Sequence, residues 1–171
     1  MKQGYEEAPK NIICFDKELY IYDSPAWCVT VDIVVVAAQV THMLLIKRAK
    51  DPYKGKMALP GGHVKIDENI RDAAKRELKE ETGLVANNLT LVGYYDAPNR
   101  DPRGRCLSIA FSVDCGDIIP HVVGMDDAES AQWYDLNSLC MFESKKQYAF
   151  DHLDIMGKAL KQLRAKYNVD S

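Results

Sequence analysis

Glu77, Glu80 and Glu81 fall within five residues of one another, with Arg76 just before them and Gly83 just after. On a helix they would be i,i+3 and i,i+4 neighbours, so three like charges crowd together. They would also occupy the last turns, where the negative end of the helix dipole disfavours each by about 0.3–1 kcal/mol. Arg76 stands four residues before Glu80 and can pair with it, but one guanidinium cannot neutralise three carboxylates. A divalent cation can. Clustered carboxylates are hard oxygen ligands suited to Mg²⁺ or Mn²⁺, ions that keep several waters and bind substrate phosphates. A charged, solvated helix end is the alternative that any KELKEE run invites. The direction in which the acids face, and the glycines at both ends, favour the metal.

The element that must position them is a helix of about four turns between Asp67 and Gly83. Asp67 is a good N-cap, Glu68 an acid in the first turn, and Gly83 a good C′ stop. At 3.6 residues per turn Ile70, Ala73, Ala74 and Leu84 form one stripe, with Asp72, Lys75 and Lys79 opposite. The three glutamates project along the apolar stripe, toward the protein body. Ahead of the helix, Pro60, Gly61 and Gly62 permit a bend in which backbone approaches a metal or phosphate closely.

The stretch from Gly62 to Leu84 resembles the Nudix box, Gly-x5-Glu-x7-Arg-Glu-U-x-Glu-Glu-x-Gly-U with U aliphatic. It fits at Gly62, Glu68, Arg76, Glu77, Leu78, Glu80, Glu81, Gly83 and Leu84. The resemblance implies a loop–helix–loop that binds metal and hydrolyses a diphosphate linked to another moiety. It implies Glu77 and Glu81 as main metal ligands, Glu80 as a further ligand or close support, Arg76 as the residue orienting the acids, and the Gly61 carbonyl as a backbone ligand. The lead-in Met57-Ala58-Leu59-Pro60-Gly61-Gly62 departs from the family's W-x-LPGG only at Met57, a change expected to alter packing beneath the loop more than chemistry.

Three further segments carry candidate residues. Arg100, Arg103 and Arg105 lie in RDPRGR, between two strand-like runs. Arginine suits bidentate contact with phosphate oxygens, and an ordinary solvated hairpin loop is the alternative. The stretch resembles that of ADP-ribose pyrophosphatases and of Nudix domains related to NAD metabolism. An acidic segment, Asp126, Asp127 and Glu129, precedes Trp133. The resemblance implies that one acid there completes the metal site or activates the attacking water, with Glu129 and Asp127 as candidates, and a solvated turn as the alternative. Asp32 interrupts a long apolar run, either capping or pairing locally or touching the ligand. His152, in a Phe-Asp-His sequence shared with the ADP-ribose branch, is structural or ligand-binding.

The chain around these residues has 171 residues, 47% of them hydrophobic and 27% charged, with a net charge of −3. One domain is the expectation, residues 26–171, preceded by an extension over residues 1–25 with a β-hairpin. The charge gives no general attraction to nucleic acid or an anionic membrane, so phosphate recognition must be local. The five cysteines form no CxxC, which argues against zinc and for reduced thiols. No leader or bilayer-spanning run stands out, making the cytoplasm the default location.

In chain order Met1 to Lys10 is expected to be loose. Ile12–Phe15 and Leu19–Tyr22 read as the hairpin around Asp16-Lys17, and Ser24-Pro25 as a break. Val29–Ala38 reads as a central strand covered on both faces, paired with His42–Lys47. Leu89–Tyr95 and Leu107–Val113 read as strands. A last helix is expected from about Ser144 to Tyr167, with Phe150, Leu153, Ile155, Met156, Leu160 and Leu163 inward.

The resemblance therefore implies an α/β/α sandwich with a mixed sheet, and a Mg²⁺-dependent (or Mn²⁺-dependent) enzyme. Its partner would be a small nucleotide, with no nucleic acid and no membrane, and its quaternary state is left open with a homodimer as one expectation. ADP-ribose hydrolysis to AMP and ribose 5-phosphate is the leading activity. A dNTP, a nucleotide sugar, or a non-catalytic sensor of an ADP-ribose-type ligand are the alternatives. A sensor would be expected to lack some of the three glutamates, and the chain leaves no room for a winged helix after its last helix.

Overall fold

The computed structural model describes residues 11–15, 18–22, 27–125, 127–137 and 145–167. Met1–Lys10, the turn at Asp16-Lys17, the Ser24-Pro25 break and the expected helix start at Ser144 lie outside them. The hairpin forms as read: β1 (Asn11–Phe15) pairs antiparallel with β2 (Glu18–Tyr22) in a two-stranded sheet of its own.

The β-branched run becomes β3 (Cys28–Ala37), buried on both faces. Its alternate residues serve two cores. Val31, Ile33 and Val35 pack with Ala73, Ala74 and Leu78 of α1 (Ile70–Thr82). Val34 and Val36 pack with Leu153, Ile155, Met156, Leu160 and Leu163 of α2 (His152–Lys166). This is the α/β/α sandwich, and the double burial explains why the strand is almost uninterruptedly apolar. Asp32 interrupts it on the α2 side.

The main sheet adds β4 (His42–Arg48), β5 (Met57–Ala58), β6 (Gly61–His63), β7 (Thr90–Tyr95), β8 (Cys106–Asp114) and β9 (Ala128–Asp135). Its order is β5–β4–β3–β8–β7, with β6 also on β3 and β9 also on β4. The pairing of β3 with β8 is parallel and the other strand pairs are antiparallel, so the sheet is mixed. One edge of β3 is shared: Val35–Ala37 pair with β4, while Thr30–Asp32 pair with β6, the strand that leads into α1.

Three expectations are corrected. Helix α1 starts at Ile70 with Asn69 in the N-cap position, not at Asp67. The Glu68 carboxylate instead accepts from the Lys65 N–H at 2.8 Å and from Arg76, which holds residues 65–68 as a turn ahead of the helix. Ile70 is accordingly exposed, and Leu78 fills the inward stripe in its place. Helix α2 starts at His152: Lys145–Gln147 is one 3₁₀ turn, and Phe150 has φ of 49°, which no right-handed helix accommodates. At the other end of α1 the expected stop holds, with Gly83 at φ 76° donating to the Lys79 carbonyl at 2.9 Å.

Candidate active site

A cavity of about 480 Å³ opens where β3, β6, the end of α1, the 96–105 loop and the start of α2 meet. Glu77, Glu80 and Glu81 line one wall. Arg100, Asp101 and Arg103 line another, and Asp32 and His152 the floor.

On the acidic wall, Arg76 lies between the carboxylates. It donates to Glu77 at 2.6 Å, Glu80 at 2.9 Å and Glu68 at 2.5 Å, and to the His63 carbonyl at 3.0 Å. Its hydrogen bonds hold Glu68 down to about pKa 2 and raise its own pKa. Glu81 is apart from this fork. It is buried, only 4% exposed, and accepts one bond from the Gly61 N–H at 2.8 Å. Burial, with the Glu77 charge added, pushes its carboxyl up to about pKa 8, against the opposing pull of Gly61 and Arg48. Burial also raises Glu77.

As they stand these acids are not a finished coordination sphere: among the described residues no three His, Cys, Asp or Glu side chains converge as a metal-ligand set. The physical reason is the Arg76 fork, which binds Glu77 and Glu80 from one side. The donor set nonetheless fits a divalent cation. A buried carboxyl held protonated by desolvation lacks countercharge, and it faces a second half-buried carboxyl across the same wall. Gly62 leaves the room: a Cβ there would lie 2.6 Å from the Glu77 carboxyl carbon, so only glycine lets that carboxylate fold against the loop.

The loop from Met57 to Gly62 is fixed through its backbone. The Leu59 N–H donates to His152 Nδ1 at 2.9 Å, the Pro60 carbonyl accepts from the Ile33 N–H at 2.8 Å, and Met57 accepts from the Ala149 N–H at 2.9 Å. Because His152 Nδ1 is an acceptor, its hydrogen sits on Nε2, which faces Asp32 Oδ1 at 3.3 Å. His152 is thus a positioning residue joining the loop to β3. Asp32 also accepts from Ser108 Oγ and, at 3.5 Å, from Arg100. Burial would raise the Asp32 carboxyl; His152, Ser108 and Arg100 outweigh it and hold it below the usual carboxylate range.

The arginines separate. Arg100 is buried and makes two bonds to Asp151, at 2.9 and 2.7 Å, so its guanidinium is committed. Arg103 lines the cavity half-exposed, held by Asp101 through bonds of 3.0 and 2.7 Å, with donors to spare. Arg105 does not reach this cavity; its guanidinium lies 4.0 Å from the Trp27 ring centre. The two candidate acids separate as well. Asp127 lines the cavity and pairs with Lys50 at 2.5 Å, whereas Glu129 lies outside it, paired with Lys47 at 3.0 Å among exposed atoms. The Met125 N–H on the Glu81 carbonyl, at 3.2 Å, ties the Asp127 segment to the end of α1.

Sequence reasoning overlooked Phe150 and Asp101. Phe150 joins the cavity wall, with Arg48 5.1 Å and Arg103 5.9 Å from its ring centre. Nothing in the sequence announces its left-handed turn. Asp101 had a signal, an acid set between two arginines, of which it orients Arg103.

Residues 27–156 match the NUDIX domain family. The chain is 41% identical over 140 residues, 82% of its length, to an ADP-ribose pyrophosphatase of Methanocaldococcus jannaschii, of which this covers 76%. It is 31% identical over 147 residues to the ADPR-responsive transcriptional repressor NtrR of Acinetobacter baylyi, covering 85% of this chain but 57% of the repressor. Among solved structures, a MutT/nudix family protein from Enterococcus faecalis superposes with a TM-score of 0.74 at 29% identity, over 86% of this chain and 65% of that one. A Francisella tularensis bifunctional NMN adenylyltransferase/ADP-ribose pyrophosphatase gives 0.71 at 29% identity, covering 81% of this chain and 42% of its partner in the comparison. The chain belongs to the Nudix family.

Proposed function

We propose that this chain is a Nudix pyrophosphohydrolase that cleaves ADP-ribose, with water, to AMP and ribose 5-phosphate. The observation that carries the reading is one cavity lined both by the acidic end of α1 and by Arg103. Carboxylates for a cation and a guanidinium with donors to spare for phosphate line the same space. The ligand class is supported by two relatives that differ in activity and agree in ligand, one a pyrophosphatase of ADP-ribose and the other a repressor responsive to it.

Glu77, Glu80 and Glu81, with the Gly61 carbonyl, would hold the cation, Mg²⁺ by preference and Mn²⁺ as the alternative. When bound, it supplies positive charge against the phosphate oxygens and acidifies water. The chain's own residues do the rest. Arg103, steadied by Asp101, grips a phosphate oxygen. Asp127 accepts the proton of the attacking water; its place in the cavity wall favours it over Glu129. The new bond joins that water oxygen to phosphorus, the bridging P–O bond breaks, and the bridging oxygen leaves on the departing phosphate. Arg100 and His152 position Asp32 and the Gly61 loop without touching the reacting atoms.

The test is product analysis with ADP-ribose and Mg²⁺ or Mn²⁺ beside a panel of nucleoside triphosphates and nucleotide sugars. AMP and ribose 5-phosphate in equal amounts are expected. Rapid cleavage of a triphosphate or a sugar nucleotide, with ADP-ribose left intact, overturns the substrate. Tight ADP-ribose binding with no turnover of any substrate makes the chain a sensor.

A further inference from the structure

Phe150 takes up a backbone conformation that bulky side chains avoid: its φ is 49°. Tyr53, whose ring meets the Phe150 ring edge-on with centres 4.8 Å apart, has φ of 66°. Such strain gathers where a structure serves a ligand, and the Phe150 ring lines the acidic cavity. Beside it stand the His152 ring at 5.3 Å and the guanidinium carbons of Arg48 at 5.1 Å and Arg103 at 5.9 Å. The backbone on either side is pinned, Ala149 to Met57 and His152 to Leu59, so the direction of the ring is fixed.

Arg48 is half-buried in the same cavity and bonds only to carbonyls, from Nε to Pro52 at 2.8 Å and from Nη2 to Lys50 at 3.5 Å. Among the described residues it pairs with no carboxylate. Burial and the nearby charge of Arg103 hold its guanidinium below the usual arginine value, against the pull of Glu81 and Asp127. Two cations that repel each other thus share a space short of an anion. Arg103, moreover, has a choice of directions. It stands in the wall between this cavity and a second, of about 380 Å³, whose far side carries Trp27 and Arg105. Its ion-pair partner Asp101 lines both cavities and does not decide between them; Phe150 lines only the first.

We infer that Phe150 is a positioning residue, whose ring holds Arg48 beside Arg103 on the acidic side so that both guanidiniums meet one diphosphate. An aromatic face attracts a cation through its quadrupole without consuming the N–H groups that a carboxylate partner would take up. Those edges stay available for phosphate oxygens, and a diphosphate between them removes the repulsion. The inference rests on the proposed hydrolase reading only for taking Arg103 as a phosphate contact.

The test is calorimetric titration, with Mg²⁺, of methylenediphosphonate, a diphosphate mimic that carries no base or sugar and has carbon in place of the bridging oxygen. Phe150→Leu keeps the apolar bulk and removes the π face, and the loss of two cation–π contacts should weaken binding about 5- to 30-fold. Phe150→Tyr keeps the face and should bind within about twofold of the wild type. With ADP-ribose, Phe150→Leu should raise KM by a like factor and lower kcat by less than about threefold, the mark of lost binding rather than lost chemistry. In an Arg48→Gln background Phe150→Leu should cost less, because one of its two guanidiniums is gone. Full additivity in that cycle, wild-type affinity in Phe150→Leu, or a Phe150→Tyr protein as weak as Phe150→Leu overturns the inference. So does a wild-type protein that does not bind the mimic, or a fall in kcat with KM unchanged, which makes Phe150 a support of the Gly61 loop alone. Should Phe150→Leu fail to fold, Arg48→Gln decides: binding should fall about 10- to 100-fold, and wild-type affinity overturns the assignment. The mimic is not cleaved, so wild-type protein that binds it through Phe150 yet leaves ADP-ribose intact sinks the substrate reading and keeps this inference. ADP-ribose cleaved by a Phe150→Leu protein of unchanged affinity for the mimic does the reverse.

Discussion

Glu81 makes the sharpest thermodynamic prediction. In the folded chain its carboxyl keeps its proton up to about pH 8, mainly because it is buried, while the unfolded chain sheds it near 4.5. Below that lower value both states are protonated and the side chain costs nothing. Between the two values folding takes up a proton, so stability falls as pH rises, by ~1.36 kcal/mol per pH unit. Above about 8 both states are ionised and the loss levels off. Across the window the penalty comes to about 3–5 kcal/mol, a large share of a small domain's stability.

Glu81→Gln removes the titration while keeping an oxygen for the Gly61 N–H. Asp32, Glu68 and Asp101 are held below the usual carboxylate range and pull the pH dependence the other way. Both proteins carry them, so they cancel in the difference. Urea unfolding in a chelating buffer should find the two proteins close in stability near pH 5. By pH 9 Glu81→Gln should lead by about 3–5 kcal/mol. Mg²⁺ added at pH 9 should then restabilise the wild type and narrow the gap, because a cation that binds only the folded state shifts the equilibrium toward it. A difference that stays constant from pH 5 to pH 9 would refute the claim that burial holds this carboxyl protonated.

Other substitutions test the surrounding geometry. Gly62→Ala puts a Cβ 2.6 Å from the Glu77 carboxyl carbon, and the flexible end of that side chain must swing away from Arg76. Steady-state assays should show kcat down by about 10- to 100-fold with the thermal midpoint little changed, and a normal kcat would count against the role given to Glu77. His152→Ala strips the Leu59 N–H and Asp32 of their buried partner, and denaturant melts should report a loss of about 2–4 kcal/mol. Asp127→Asn should lower kcat by about 100-fold or more, as removal of a proton acceptor does. Glu129→Gln should leave kcat within about twofold, since it breaks only an exposed pair with Lys47. The opposite ranking would transfer the proton-accepting role to Glu129.

What could be read from the chain alone was whatever repeats locally. The double burial of β3 is written in ten residues, and the acids of α1 face inward because of spacings of three and four. Gly83 stops the helix because its φ is one that side-chain-bearing residues avoid. The misread boundaries have local causes too, but causes that depend on a partner several residues away. Asp67 looked like the cap because nothing in its own type or position shows that Glu68 is drawn off to Lys65 and Arg76. Phe150 fits an inward helical pattern perfectly well, and only the commitment of Asp151 to Arg100 and of His152 to Leu59 explains why the chain turns left-handed just before the helix.

The long-range contacts of the two cavities had no local signature at all. Asp32 and His152 stand 120 residues apart in the chain, and the polar interruption of an apolar strand is compatible with many partners. Trp27 and Arg105 meet because β3 and β8 run parallel in a register that sets Cys28 opposite Cys106, which brings the residues just before each strand side by side. A slip of that register by one residue would part the indole from the guanidinium and turn Asp32 away from Ser108, because successive side chains on a strand face opposite ways. One parallel pairing therefore aligns the floor of the acidic cavity and the wall of its neighbour together. The bond between Asp32 and Ser108 and the stack of Arg105 on Trp27 must be lost together whenever that pairing slips.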